Sequence, residues 1–276
     1  MSGIVIIARR EILVGLRNRW VLATTLLLAA LALSLTFLGS APTGRVGVGA
    51  LDVVIVSLSS LTIFLVPLLA LLISHDAIVG EVERGTMALL LSYPVGRWQV
   101  IVGKFLGHLL ILVFATVVGY GAAAVALALT GVAILMQSMF AFAVMIGSSV
   151  LLGAVFIAIG YLISATVNDR GTAAGIAIGV WLLLALVYDM ALLGALVVDQ
   201  GHTITADVLN ALLLLNPTDV YRLFNLGGFA NVGQFSGMAG LAGSNAWSQP
   251  MLLTALGLWT AIPLTIAVTI FARREI

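Results

Sequence analysis

Residues 53–74 read VVIVSLSSLTIFLVPLLALLIS and contain no charged side chain over 22 positions. A transmembrane helix needs about 20 consecutive apolar residues, so this stretch is long enough to cross a bilayer. The whole chain has the same character: of its 276 residues, 62% are apolar and 8% are charged, whereas soluble domains carry about 25% charged residues. This composition excludes an ordinary cytosolic enzyme and predicts an integral membrane protein.

Further apolar runs lie on both sides of this one. The longest covers the 64 residues between Lys104 and Asp169, where only His108 can carry a positive charge. As one helix it would be roughly 96 Å long, so we expect it to fold back near 130–137. The predicted fold class is therefore all-α, with an N-terminal interfacial helix and six spans at 20–38, 53–74, 105–130, 138–166, 172–198 and 247–271.

Cationic residues predict the orientation of these spans, because cytoplasmic loops of membrane proteins are enriched in lysine and arginine. Six spans put both termini on the same side of the membrane. With that side in the cytoplasm, only Arg45 and Arg222 of the 12 cationic residues lie outside. The ten that then lie inside are Arg9, Arg10, Arg17, Arg19, Arg84, Arg97, Lys104, Arg170, Arg273 and Arg274.

The first polar segment, residues 1–19, has the pattern of a helix that lies in the membrane interface. Ile4, Ala8 and Ile12 fall on one side of this helix, and Arg10 and Arg17 fall on the other. Cationic residues beside apolar ones suit a surface of anionic headgroups. The alternative is a positive flank that only orients the first span.

The second polar segment, residues 75–103, contains the carboxylates Asp76, Glu81 and Glu83. Glycines at 80 and 85 can bend the chain on either side of the acidic cluster. A short helical run from Thr86 to Ser92 should end before Pro94. Such an element suits a coupling helix, a cytoplasmic lever that fits a cleft of a motor protein. The alternative is a solvated loop.

This segment resembles the patch that follows the second span in ABC-2 type transporter permeases. The resemblance extends over the whole chain, and a narrower match, LLLLNPTDVYRL at 212–223, is similar to the permease of the ABC system that matures nitrous oxide reductase. The matching sequences near the ends are ARRE at 8–11 and RRE at 273–275. The residues that match in the patch are Asp76, Gly80, Glu81, Glu83, Gly85, Thr86, Leu89, Leu90, Leu91, Ser92, Tyr93, Pro94, Arg97, Gly103 and Lys104.

The resemblance implies a homodimer in the bacterial inner membrane, two copies of a cytoplasmic ABC ATPase and a periplasmic partner protein. Its cargo would be a sulfur species for a copper–sulfur cluster. Two other functions remain open: a mechanical transmitter that reshapes the periplasmic partner without moving cargo, and an ion-coupled carrier without an ATPase. The residues that the resemblance places in or beside the ATPase-coupling element are Glu81, Glu83, Arg84, Gly85, Thr86 and Arg97.

ATP hydrolysis is not expected on this chain itself. A P-loop needs a Gly-x4-Gly-Lys-Ser/Thr sequence to hold phosphates, but the only lysine, Lys104, is followed by Phe105. The sequence therefore predicts a non-catalytic subunit without a cofactor, and its net charge of +1 gives no support for a nucleic-acid partner.

Asp189 is the only carboxylate inside a predicted span, and such residues are functional candidates because their burial is costly. It could line a pathway. Alternatively, the membrane helix stops at Tyr188 and Asp189 lies hydrated at the interface. A metal site made of His75, Asp76 and His108 is conceivable, but these positions show no ligand spacing and solvation of helix ends explains them, so no metal is expected.

Two glycine patterns predict close helix packing. Gly171, Gly175 and Gly179 recur at every fourth position at the start of the fifth span, which lets a second helix approach closely. That helix could belong to this chain or to a second copy. Gly103 and Gly107 form a further such pair.

The outer segment, residues 199–246, predicts two short helices at 206–215 and 218–225, followed by a glycine-rich stretch at 227–243 that re-enters the membrane or binds a partner. Apolar groups on this face should otherwise lie in the bilayer or against a protein. We predict that a periplasmic protein covers part of it. The expected docking residues are Asp219 and Arg222 at the polar edge, with Phe224, Phe229 and Phe235.

Overall fold

The computed structural model describes residues 3–17, 19–39, 50–129, 136–199, 202–226 and 247–274. Within these ranges the chain forms helices and turns and no strand. A π-helical turn, Leu183–Val187, joins the helix Arg170–Leu182 to the helix Tyr188–Asp199. The helices are α1 Gly3–Leu16, α2 Arg19–Gly39, α3 Ala50–Ser74, α4 Val79–Glu83, α5 Thr86–Leu91, α6 Arg97–Leu129, α7 Met136–Thr166, α8 Arg170–Leu182, α9 Tyr188–Asp199, α10 Ala206–Leu214, α11 Pro217–Leu226 and α12 Gln249–Arg273.

Five helical segments are long and apolar enough to cross a membrane. They are α3 with its continuation into α4, α6, α7, the continuous α8–π–α9 segment, and α12. A sixth arises when α1 and α2, which meet at a bend of 67°, are counted as one span. These segments confirm the prediction of an all-α membrane protein. The predicted count is six spans, and the described residues give five or six.

The third span begins earlier than its charge pattern predicts. We expected it to start at 105, after Lys104, but α6 begins at Arg97. The side chain of Lys104 is only 3% exposed and lies between Glu11 and Glu81. Since two carboxylates compensate its charge, the helix can run through this position without a break.

The centre of the bundle is α7, which packs against α3, α6, α11 and α12. Helices α1 and α2 cover α6 on the other side. Large aromatic side chains fill the interior, and Tyr120, Phe156, Tyr161 and Phe271 are all fully buried. The buried apolar side chains of the described residues form three clusters, and the largest of them joins the helices that carry the candidate sites.

Helix α1 lies very close to α6, and two glycines allow this approach. A Cβ atom added at Gly103 would lie 3.0 Å from the carbonyl oxygen of Ile4, and one at Gly107 would lie 2.5 Å from Cβ of Glu11. Any side chain at either position therefore pushes α1 away. The predicted close packing at Gly103 and Gly107 occurs within this chain, between α6 and the N-terminal helix.

We expect Gly107→Val to lower the free energy of unfolding by about 2 kcal/mol, because overfilling a packed contact typically costs 1–3 kcal/mol. The matched control is Gly121→Val in the same helix, since an added Cβ there meets no atom within 4 Å. Thermal unfolding of both variants in detergent provides the measurement. If both variants lose the same free energy of unfolding, the close approach of α1 is not the reason for glycine at position 107.

Candidate functional site

The segment from residue 75 to residue 97, hereafter the lever segment, lies at the end of the bundle where α3 ends and α6 begins. Its first turn is anchored on α7, because the backbone N–H groups of Ile78 and Val79 both donate to the Ser164 hydroxyl at 3.0 Å. Gly85 joins α4 to α5 in the left-handed conformation, with a φ of 69°. A residue with a side chain is strained in this conformation, which accounts for glycine at the joint.

Glu81, predicted as a coupling residue, faces the interior of the protein. Its Oε1 atom accepts hydrogen bonds from Lys104 Nζ at 2.9 Å and from Arg10 at 3.5 Å. Lys104 Nζ also donates to Glu11 Oε1 at 2.8 Å. The ion network of Arg10, Glu11, Glu81 and Lys104 therefore connects α4 of the lever segment to both α1 and α6.

Glu83 and Arg84 are exposed, and Thr86 is partly buried. Glu83 Oε1 accepts a hydrogen bond from the backbone N–H of Arg170 at 2.8 Å, and the Thr86 hydroxyl donates to the carbonyl of Glu81 at 3.2 Å. The Arg170 guanidinium also binds Asp76 at 2.7 Å. The lever segment is thus fastened to the start of α8 as well.

Helix α5 presents apolar groups to the outside. Met87 is fully buried, whereas Leu89 and Tyr93 are each 68% exposed. Trp98, at the start of α6, is also exposed. Exposed large apolar side chains beside charged ones are typical of a protein contact surface. We call Leu89 in α5 and Tyr93, which follows just after the end of this helix, the outer face of α5.

Arg97 does not lie on this surface. Its guanidinium donates to the carbonyl oxygens of Phe271 and Ala272 at 3.2 Å. Arg274 makes similar bonds to the end of α7, at the carbonyls of Ala165 and Val167. Both arginines bind carbonyls at helix ends, where cations are favoured. The structure therefore gives Arg97 a role in fixing the end of α12.

The three residues considered for a metal site do not converge. The ring of His75 lies 3.1 Å from the carbonyl of Leu71, Asp76 binds Arg170, and the ring of His108 is 2.9 Å from the Tyr161 hydroxyl. Among the residues that the structure describes, no group of three His, Asp or Glu side chains is placed to hold a metal ion.

A second polar cluster lies near the middle of the α8–π–α9 segment, where the NPTD sequence at 216–219 meets the π-helical turn. The side-chain amide of Asn216 and the hydroxyl of Thr218 both donate to the carbonyl of Leu184, at 2.9 and 3.0 Å. The wider spacing of a π-helix displaces carbonyls from the α-helical pattern, and such turns are frequent at functional sites. The NPTD sequence therefore fastens α11 to this turn, and we call this contact the outer clasp.

Asp189 follows the π-helical turn and pairs with Arg222. The Arg222 Nη2 atom lies 2.8 Å from Asp189 Oδ2, and its Nη1 atom donates to Asp219. The helix continues past Asp189 to Asp199 without interruption. The prediction that the membrane helix stops at Tyr188 and leaves Asp189 hydrated is therefore wrong. The carboxylate of Asp189 lies within the helix and is paired with a buried arginine.

The predicted docking edge also needs correction. Asp219 is 0% exposed, Arg222 is 8% exposed, and Phe224 is buried as well. Arg222 binds Asp219 and Asp189 inside this chain. None of the three predicted docking residues Asp219, Arg222 and Phe224 therefore lies at an exposed edge. Phe229 and Phe235, together with the glycine-rich stretch at 227–243, lie outside the described residues. The sequence signal that could have indicated an internal role is the pair of opposite charges one helical turn apart, at 219 and 222.

The three glycines of α8, Gly171, Gly175 and Gly179, differ in the space around them. A Cβ at Gly171 would lie 3.3 Å from Asp169 Oδ1, whereas at Gly175 and Gly179 it would meet no atom of the described residues within 4 Å. Within the described part of the chain, no helix is packed on these two positions. A helix of a second copy stays a prediction for this stripe.

Comparison with known proteins agrees with this architecture. The family model described as "ABC-2 family transporter protein" matches residues 5–276. A protein of Stutzerimonas stutzeri named "Probable ABC transporter permease protein NosY" is 47% identical over 269 residues, which cover 97% of each chain. A Pseudomonas aeruginosa protein of the same name is 47% identical over 271 residues and 98% of each chain.

Proposed function

Because the chain belongs to the ABC-2 transporter family, we propose that it is the permease subunit of the ABC transporter that matures the copper–sulfur cluster of nitrous oxide reductase. Its similarity to two proteins named NosY permease over nearly the full chain supports this assignment. ATP is hydrolysed by a separate ATPase chain. This subunit is not an enzyme and transmits motion from the ATPase to the spans.

The observation that carries the proposal is the lever segment. It combines an exposed apolar surface, the outer face of α5, with an inner side fixed to three other helices. Glu81 binds Lys104 of α6 and approaches Arg10 of α1, and Glu83 binds the first residue of α8. A movement of an ATPase bound to the outer face of α5 is therefore transmitted to α1, α6 and α8 together.

The positive-inside rule places this end of the bundle in the cytoplasm, where an ATPase is available. In this orientation α1 lies at the cytoplasmic surface of the inner membrane, and its exposed Val5, Ile6, Leu13 and Val14 lie beside the exposed Arg9. Apolar groups beside a cation suit the boundary of an anionic membrane. Helix α10 then lies toward the periplasm.

The complete assembly that we propose contains two copies of this chain and two copies of the ATPase. Gly175 and Gly179 provide an open stripe on which the second copy can pack. A periplasmic partner binds the outer segment, and a sulfur species is the proposed cargo. Movement of a labelled sulfur compound into vesicles would distinguish transport from mechanical remodelling of the partner, and activity without the ATPase would indicate an ion-coupled carrier.

The proposal predicts that replacing both Leu89 and Tyr93 with aspartate removes the ATPase. A few central residues of a protein interface each cost about 2 kcal/mol or more when they are truncated. If the outer face of α5 contains such a residue, the amount of co-purifying ATPase should fall at least about tenfold. The measurement is the ATPase recovered with the tagged permease in mild detergent. The control is Val208→Asp, which adds a charge at an exposed apolar position of α10, on the opposite end of the bundle. Undiminished recovery with the double variant would refute docking at the outer face of α5.

A further inference from the structure

The ion cluster beside the outer clasp has an unbalanced charge. Two carboxylates, Asp189 and Asp219, share one guanidinium, that of Arg222. Asp219 and Arg222 are both buried, and the Asp189 side chain is 18% exposed. With both aspartates ionised, the cluster carries a net charge of −1 in a region of low dielectric constant, where an uncompensated charge is costly.

One oxygen of this cluster has no donor among the described residues. Asp189 Oδ1 is buried and makes no hydrogen bond to any of them, whereas Asp189 Oδ2 binds Arg222. On Asp219, Oδ1 binds Arg222 and Oδ2 accepts from the amide of Asn216 at 2.9 Å. A buried acceptor without a donor costs about 1–3 kcal/mol. A proton bound to the carboxyl pair supplies the missing donor and also removes the net charge.

Among the described residues, no group other than Arg222 compensates the negative charge of Asp189 and Asp219. The hydroxyl of Tyr188 donates to the carbonyl of Leu212 at 2.6 Å, and that of Tyr221 bonds to Ser149 at 2.9 Å. Of the other elements that pack on α11, α7 has no charged residue, α10 has only Asp207, α3 has only Asp52, and α12 has only Arg273 in its last turn. The only cation bound to the pair among the described residues is therefore Arg222.

We infer that Asp189 and Asp219 form a proton-binding site, in which the two carboxylates and Arg222 hold one exchangeable proton. Asp219 lies in α11, outside the spans, and burial raises its pKa; Arg222 opposes this shift and Asp189 adds to it. Release of the proton leaves one negative charge beside the Leu184 carbonyl that the outer clasp uses. The protonation state of the pair thus acts on the contact between the π-helical turn and α11.

Infrared difference spectroscopy of the full-length protein with isotope-labelled aspartate, reconstituted in nanodiscs, tests this inference. Between about pH 6 and about pH 9 the wild type should lose one protonated-carboxyl band that belongs to aspartate, since an ordinary aspartate with a pKa of about 3.9 is already ionised at pH 6. Asp189→Asn keeps Arg222 balanced by Asp219, and in this variant the band should be absent. Potentiometric titration should show about one proton fewer taken up per chain than in the wild type.

A second variant and a control keep the test decisive if Asp189→Asn assembles poorly. Asp219→Asn should remove the same band, whereas Asp207→Asn, at an exposed position of α10, should leave it unchanged. Absence of a titrating aspartate band in the wild type over this pH range would overturn the inference. So would a band that persists in both Asp189→Asn and Asp219→Asn.

Discussion

Replacing Lys104 with methionine is expected to lower the free energy of unfolding by about 3–5 kcal/mol, because removal of one partner from a buried ion network leaves charge uncompensated. Lys104 Nζ is the common partner of Glu11 and Glu81, at 2.8 and 2.9 Å, and all three side chains are at most 12% exposed. Arg10 lies farther away, 3.5 Å from Glu81, and is half exposed, so it cannot replace the lysine. The loss would detach α4 of the lever segment from α1 and α6.

Thermal unfolding in detergent and limited proteolysis of the 75–97 region measure this effect. Lys104→Arg keeps the charge and should lose far less. Adding Glu81→Gln to Lys104→Met removes one of the two orphaned charges, so the double variant should be more stable than Lys104→Met alone. A single Lys104→Met variant that unfolds like the wild type would mean that the network does not stabilise this end of the bundle.

Arg222→Met should be the second severe substitution, with a loss of about 3–5 kcal/mol at neutral pH. It leaves Asp189 and Asp219 without a cation inside the protein. Burial and mutual repulsion then raise the pKa of Asp219 further above its unfolded value. A group with a raised pKa binds protons more tightly in the folded state, so stability falls as pH rises through the folded pKa.

Stability of Arg222→Met should therefore be lowest at about pH 8 and should recover in part at about pH 5, where the carboxylates can protonate. Melting temperatures of the variant and the wild type across this range give the comparison. Arg222→Lys retains one charge but loses the two-pronged geometry, and it should fall between them. If the loss of melting temperature in Arg222→Met is the same at every pH, Arg222 does not act by compensating the charges of the two aspartates.

The sequence was most informative where a feature depends on local composition. Uncharged runs such as 53–74 are sufficient to predict a spanning helix, because in a membrane every backbone group must be satisfied within the segment. The short helix at Thr86–Leu91 and the cap of α10 at Thr205, whose hydroxyl accepts from the N–H of Val208, likewise follow from breakers and capping residues that lie close along the chain.

Charged residues were harder to interpret, because their environment is set by distant parts of the chain. The sequence predicted that a span starts directly after Lys104. It does not show that Glu11 compensates the charge of Lys104, because this contact depends on the packing of α1 against α6. For Asp189 the sequence left open whether the residue lies inside a span or at a hydrated helix end, and Arg222 was assigned to an exposed edge. No spacing in the sequence links these two residues; α11 brings them together by docking on the π-helical turn.

The coupling residues show the same limit. The sequence predicts one charged surface from Glu81, Glu83 and Arg97, because all three lie in one segment. In the structure Glu81 points inward to Lys104 and Glu83 binds α8. Arg97 binds the end of α12. Leu89 and Tyr93, which carry no charge and matched only by resemblance, are apolar residues that the fold leaves exposed. ATPase coupling through this segment stays a prediction.

Site-specific photocrosslinking at position 89 tests the central claim most directly. A photoreactive amino acid placed at Leu89, in the intact complex in native membranes, should capture the ATPase subunit, whereas the same probe at Val208 should not. The account predicts a crosslinked product that contains both chains and that diminishes when Tyr93 is replaced by aspartate. If the probe at position 89 captures only lipid or this chain while the ATPase still co-purifies, the outer face of α5 is not the coupling surface and the account is wrong.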